Sequence, residues 1–184
     1  MNSTPNIESG SRGLLIGLGF ATTTMMWALG YLAFSQPGMI LGELVFAAEL
    51  LVLAIGGFFA GRLLGTISAG IWTGLISAAV NLLVVGSLFG RGEDGSILAS
   101  GIAWVGGLFM VSALLGGIGA TIGRLQFDSN RPHRIAPASF FSLVAAGTVF
   151  VLIVTGGLVT GMEAGLTVPD WPNSFGHNML LYPL

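Results

Sequence analysis

The chain contains no cysteine and no lysine. The first absence excludes disulfides, thiolate metal sites, iron–sulfur clusters and thiol nucleophiles. Charge of either sign is scarce: 8% of the 184 residues are charged, and the net charge is −2. Soluble domains carry roughly 25% charged residues, so this chain cannot cover a water-facing surface. With no lysine and only six arginines, no basic patch exists to hold nucleic acid. What is abundant is apolar surface and glycine: 53% hydrophobic residues, 30 glycines and a mean hydropathy of +0.89. That composition excludes disorder and a soluble globular fold, and leaves an integral membrane protein.

Residues 1–12 read as a short polar, disordered cap holding Pro5, Glu8 and Arg12. The apolar run starting at Leu14 is too long for the core of a signal peptide. Five apolar spans follow, at about 13–34, 39–64, 66–89, 97–123 and 138–162. Each holds 22–27 residues, and about 20 suffice for a helix to cross a bilayer. Continuous runs of this length exclude the short alternating strands of a membrane barrel. The predicted fold is therefore all-α, a polytopic membrane helix bundle with five transmembrane helices.

Arginine sets the orientation. With a cytoplasmic amino terminus, Arg12, Arg62, Arg124, Arg131 and Arg134 lie inside and only Arg91 lies outside. That bias predicts the N-terminus in and the C-terminus out. The chain divides into a polar cap (1–12), a four-helix glycine-rich module (13–123), an Arg-rich cytoplasmic loop (124–137) and a last helix with an outer loop (138–184). The loop arginines can attract anionic membrane lipid, and His133 among them is placed outside the membrane. Gly61-Arg62-Leu63 recurs 62 residues later as Gly123-Arg124-Leu125, which predicts two related helical hairpins in parallel orientation. Small-xxx-small patterns such as Gly57–Gly61 and Gly70–Gly74 predict close helix packing.

Two polar residues fall deep inside the spans. Glu49 lies about eleven residues from the outer end of the second span, and Asn81 about eight from the outer end of the third. An ionised carboxylate at that depth costs several kcal/mol unless it is protonated or paired. The two depths match, and they predict a Glu49–Asn81 hydrogen bond. Two readings stay open: a polar clamp between helices, or a proton or substrate site. Glu43 reaches the headgroup region. Trp27, Trp72, Trp104 and the Met25-Met26 pair read as interface anchors or packing.

The last thirty residues carry a more specific pattern. Gly156-Gly157-Leu158-Val159 leads through Ala164-Gly165 into Pro169-Asp170-Trp171-Pro172. Two prolines fix φ, Asp170 can accept backbone N–H bonds, and Trp171 suits an interface. This order and spacing resemble haem A synthase, the membrane enzyme family that oxidises the methyl group of haem O to a formyl group. In that family the run closes the first helix and opens the first extracytoplasmic loop. The resemblance covers about residues 138–184, and it departs from the family pattern in three places. Val168 stands where many members carry a loop cysteine, which places the chain with the cysteine-free type. Glu163 replaces a usual glycine. The family's catalytic Glu and haem-ligating His residues lie on later helices, and no Glu-x-x-His occurs in these 184 residues.

The resemblance thus implies the amino-terminal portion of a longer haem A synthase-like protein with four extra helices ahead of the family's first. The apolar end at Leu180–Leu184 fits a truncated chain or a split gene product. It implies haem as cofactor and substrate, terminal-oxidase assembly partners, and the bacterial inner (cytoplasmic) membrane. Homo-oligomers are compatible with it. No catalytic or metal-ligating residue is expected within the chain. Glu163, Asp170, Trp171 and His177 become candidates for shaping the substrate mouth or loop. The alternative is a non-catalytic membrane scaffold or assembly module.

Overall fold

The computed structural model describes residues 7–34, 41–85, 99–127, 135–161, 173–174 and 177–178. Five helices account for nearly all of them: α1 (Ile7–Phe34), α2 (Gly42–Leu64), α3 (Ile67–Val85), α4 (Ala99–Arg124) and α5 (Pro137–Gly161). Four contain apolar stretches long enough to cross a membrane: Ser11–Ala33, Gly42–Leu64, Gly101–Arg124 and Pro137–Gly157. Among the described residues the apolar stretch of α3, Ile67–Leu83, is shorter; the last residues of the expected third span lie outside them. Helix α1 starts at Ile7, so residues 7–12 of the expected disordered cap are helical, because hydrogen bonding carries a helix past the end of its apolar run. Beside the helices there is one short pair: Asn173–Ser174 (β1) runs antiparallel to His177–Asn178 (β2), Ser174 opposite His177.

The chain forms two compact units, Met1–Thr148 and Val149–Leu184. Within the first, burial is inverted relative to a soluble protein. Leu44, Phe46, Leu83, Ile102 and Leu143 are exposed, whereas Ala60, Ala78, Ala120, Thr73, Ser77 and Ser112 are buried. Large apolar side chains face outward and small or hydroxylated ones face inward. This is the arrangement expected where lipid is the solvent and close backbone approach replaces a hydrophobic core. Two of the buried hydroxyls are satisfied within their own helix: Thr22 donates to the Leu18 carbonyl (2.8 Å) and Thr73 to that of Ala69 (2.9 Å).

The α2–α3 connection shows why the chain turns where it does. Gly65 adopts φ 71°, which an L side chain resists, and its N–H returns to the Gly61 carbonyl at 2.8 Å. Thr66 Oγ1 then accepts the Ala69 N–H at 3.3 Å and caps α3. A two-residue connection forces α2 and α3 to run antiparallel.

Helices α2 and α4 cross backbone to backbone. A Cβ on Gly57 would strike the Gly116 backbone, one on Gly61 the Ala120 backbone, one on Gly119 the Ala54 carbonyl, and one on Gly123 the Phe58 carbonyl. Partner numbers rise together, so the two helices are parallel. The contacts also carry an internal symmetry. A shift of 62 residues converts the Gly57–Gly116 contact into Ala54–Gly119, and Gly61–Ala120 into Phe58–Gly123. The repeat seen in the two Gly-Arg-Leu sequences is thus a local two-fold in the α2–α4 interface. Helix α3 lies antiparallel on α4 through Gly70 against Gly116 and Gly74 against Ser112. Helix α1 runs parallel to α3, with Gly19 against Ile76 and Thr23 hydrogen-bonded to Ser77 at 3.0 Å. Arg12, Arg62 and Arg124 therefore share one end of the bundle.

Candidate functional site

Every glycine contact of the α2–α4 crossing lies in the halves nearest the arginine end. Toward the other end glycine no longer meets glycine: a Cβ on Gly106 or Gly107 would find nothing within 4 Å. The helices are zipped at one end and parted at the other. The parted halves enclose a cavity of about 630 Å³, within the usual range of small-molecule sites. Helix α1 contributes Met26, Trp27, Gly30 and Tyr31; α2 contributes Phe46, Glu49, Leu50 and Leu53. Helix α3 contributes Asn81, and α4 contributes Trp104, Gly107, Leu108, Val111 and Ser112.

Glu49 and Asn81, singled out by their depth in the sequence, do line one cavity. The predicted hydrogen bond between them is not the one Asn81 makes. Asn81 Oδ1 accepts the Trp27 indole N–H at 2.9 Å, and its amide nitrogen faces the Met26 sulfur at 3.6 Å. The Ser77 hydroxyl approaches the same sulfur at 3.9 Å. Parallel packing of α1 on α3 puts Trp27 beside Asn81, a neighbour that helix depth alone cannot reveal. Glu49 instead lies across from α1, where a Cβ on Gly30 would sit 3.3 Å from its Oε1. Asn81 is thus a clamp, but it ties α3 to α1 rather than to α2. Asn81→Leu is expected to cost about 0.5–1.5 kcal/mol, the range of interhelical hydrogen bonds in membranes, read from unfolding in mixed micelles. No loss would remove the clamp.

Sequence reasoning missed Ser112, Met26, Trp27, Trp104 and Gly107 as lining residues. Ser112 Oγ is buried and has no hydrogen-bond partner, which is costly for a hydroxyl unless something fills that role. Of the carboxy-terminal candidates, Glu163, Asp170 and Trp171 lie outside the described residues, as does His133. His177 falls on β2. Among the described residues no three His, Cys, Asp or Glu side chains come together to hold a metal ion.

Comparison with family models, with curated proteins and with solved structures finds no match for this chain.

The haem implied by the resemblance does not fit the cavity. Among the described residues its lining holds no histidine or cysteine, and the one thioether there, Met26, is already approached by Ser77 and Asn81. Axial ligation of haem uses such side chains. What the cavity can do is hold an apolar body against aromatic walls and present one carboxyl, one amide and one unspent hydroxyl to it.

Proposed function

We propose that residues 138–184 serve as the first helix and first extracytoplasmic loop of a haem A synthase-like oxidoreductase of the bacterial cytoplasmic membrane. Residues 13–123 are then a membrane module joined ahead of it. One observation carries this reading: the run from Gly156-Gly157-Leu158-Val159 through Ala164-Gly165 to Pro169-Asp170-Trp171-Pro172. Helix α5 (Pro137–Gly161) supports it, since it carries the Gly156-Gly157-Leu158-Val159 part of that run on a helix. In this reading Asp170 organises the Pro-Asp-Trp-Pro turn, Trp171 anchors it at the interface, and Glu163 and His177 border the substrate mouth. The haem ligands and the catalytic carboxylate are supplied by residues other than these 184.

The test is a haem extraction. Deleting the gene in its source cell is expected to abolish haem A and let haem O accumulate, and replacing Pro169–Pro172 by four alanines should reproduce this. An unchanged ratio of haem A to haem O refutes the proposal. A second reading, a non-catalytic scaffold or oxidase-assembly module, draws on the separate cavity of α1–α4. It predicts that haem A synthesis persists in the deletion strain while assembled oxidase falls.

A further inference from the structure

The cavity between α1, α2, α3 and α4 combines three features. The first is charge. Among the described residues, Glu49 is the one ionisable carboxyl in the lining, and no Arg, Lys or His lines the cavity with it. The described arginines, Arg12, Arg62 and Arg124, all sit at the other, zipped end of the bundle. A carboxyl at membrane depth without a basic neighbour is a site that a cation can complete.

The second feature is aromatic. Trp27, Tyr31, Phe46 and Trp104 line the same cavity as Glu49 and come from three helices. The faces of such rings attract organic cations, and the attraction grows when the site is desolvated. The third is Ser112. It lies one turn before the Gly116 contact, its residue only 1% exposed, and its Oγ has no partner. A buried hydroxyl left without a hydrogen bond at the inner end of a cavity is a place for a polar atom of a ligand. Gly107 keeps the space open, because nothing lies within 4 Å of where its Cβ would be.

We infer that this cavity is a binding site for a compact apolar organic cation, a protonated amine carried on a hydrophobic body. The ammonium group faces Glu49 and the aromatic rings, an N–H reaches Ser112 Oγ, and the hydrophobic body fills the space beside Leu50, Leu53 and Leu108. A neutral or anionic ligand of the same shape would leave the Glu49 carboxyl uncompensated. The inference is independent of the haem A synthase-like reading, since it uses only α1–α4.

Adamantane derivatives test it, because the same apolar cage is available as the 1-ammonium, the 1-alcohol and the 1-carboxylate. The full chain is purified in detergent, with Trp72 and Trp171 replaced by phenylalanine. Its emission then comes from Trp27 and Trp104, both in the lining. The ammonium is expected to change that emission saturably, and to bind at least ~10-fold more tightly than the alcohol or the carboxylate, a difference of about 1.4 kcal/mol. Glu49→Gln should remove most of that preference, and Ser112→Ala should weaken the ammonium about threefold or more. Gly107→Leu, which adds a side chain to the cavity wall where a Cβ meets nothing within 4 Å, should abolish binding of the ammonium while the protein still melts as a folded bundle. Equal affinity for ammonium and alcohol, an ammonium affinity that Glu49→Gln leaves unchanged, or the absence of saturable binding to a folded protein overturns the inference.

Discussion

Replacing Gly119 by leucine is expected to destabilise the four-helix bundle more than any other single glycine replacement considered. Its Cβ would collide with the Ala54 carbonyl and approach the Phe58 nitrogen at 2.8 Å. Both are backbone atoms inside α2 and cannot rotate away. The helices would have to separate, and separation also opens the related contacts at Gly57, Gly61 and Gly123. In lipid there is little hydrophobic drive to hold parted helices together. Overpacking a tight interior costs 1–3 kcal/mol and occasionally more. At about 3 kcal/mol, melting should fall by roughly 10 °C for a chain of this size. Gly106→Leu and Gly147→Leu are the controls, since nothing lies within 4 Å of either Cβ. Both should melt within about 2 °C of the parent, as surface substitutions of about 0.5 kcal/mol do. The same melt for Gly119→Leu and the controls would mean that the crossing is not a glycine contact.

The second large effect is all-or-none. Five of six arginines fall at one set of helix ends and in the loop after α4, a bias that predicts a cytoplasmic position for those ends. Alkaline phosphatase, active only outside the cytoplasm, should be inactive when fused after residue 129 and active when fused after residue 172. A fluorescent protein that folds only in the cytoplasm should show the opposite. Activity of both phosphatase fusions, or of neither, would put both loops on one side. It would also remove the topology that the Pro-Asp-Trp-Pro loop requires of a haem A synthase-like protein.

Much of the fold is written in local signals. Span ends fall close to the observed helix ends at Phe34, Leu64 and Gly123-Arg124 because turn residues, Gly65 and arginine mark them. The Gly-Arg-Leu repeat shows up in the sequence because the symmetry it serves demands small residues at equivalent positions of α2 and α4. The partner of Asn81 is not legible. Depth along a helix is a one-dimensional quantity, whereas the choice among Trp27, Met26 and Glu49 depends on which helix lies beside α3. The cavity was half visible: a lone carboxyl at mid-depth marks it, but Ser112 and Gly107 look like ordinary packing residues. Only the divergence of α2 and α4 beyond their glycine crossing gives them a role.

The parallel α2–α4 pair is the feature on which the bundle, its cavity and its shared arginine end all depend. The chain has no cysteine, so Arg62→Cys and Arg124→Cys together give a clean site pair for spin labels. Both positions are exposed helix ends, and a Cβ on Gly123 would lie 3.0 Å from the Arg62 nitrogen. Dipolar spectroscopy in nanodiscs should find the two labels under ~20 Å apart, the backbone proximity plus the reach of two label side chains. An antiparallel arrangement would separate them by a bilayer core, ~30 Å or more, and that result would contradict the account.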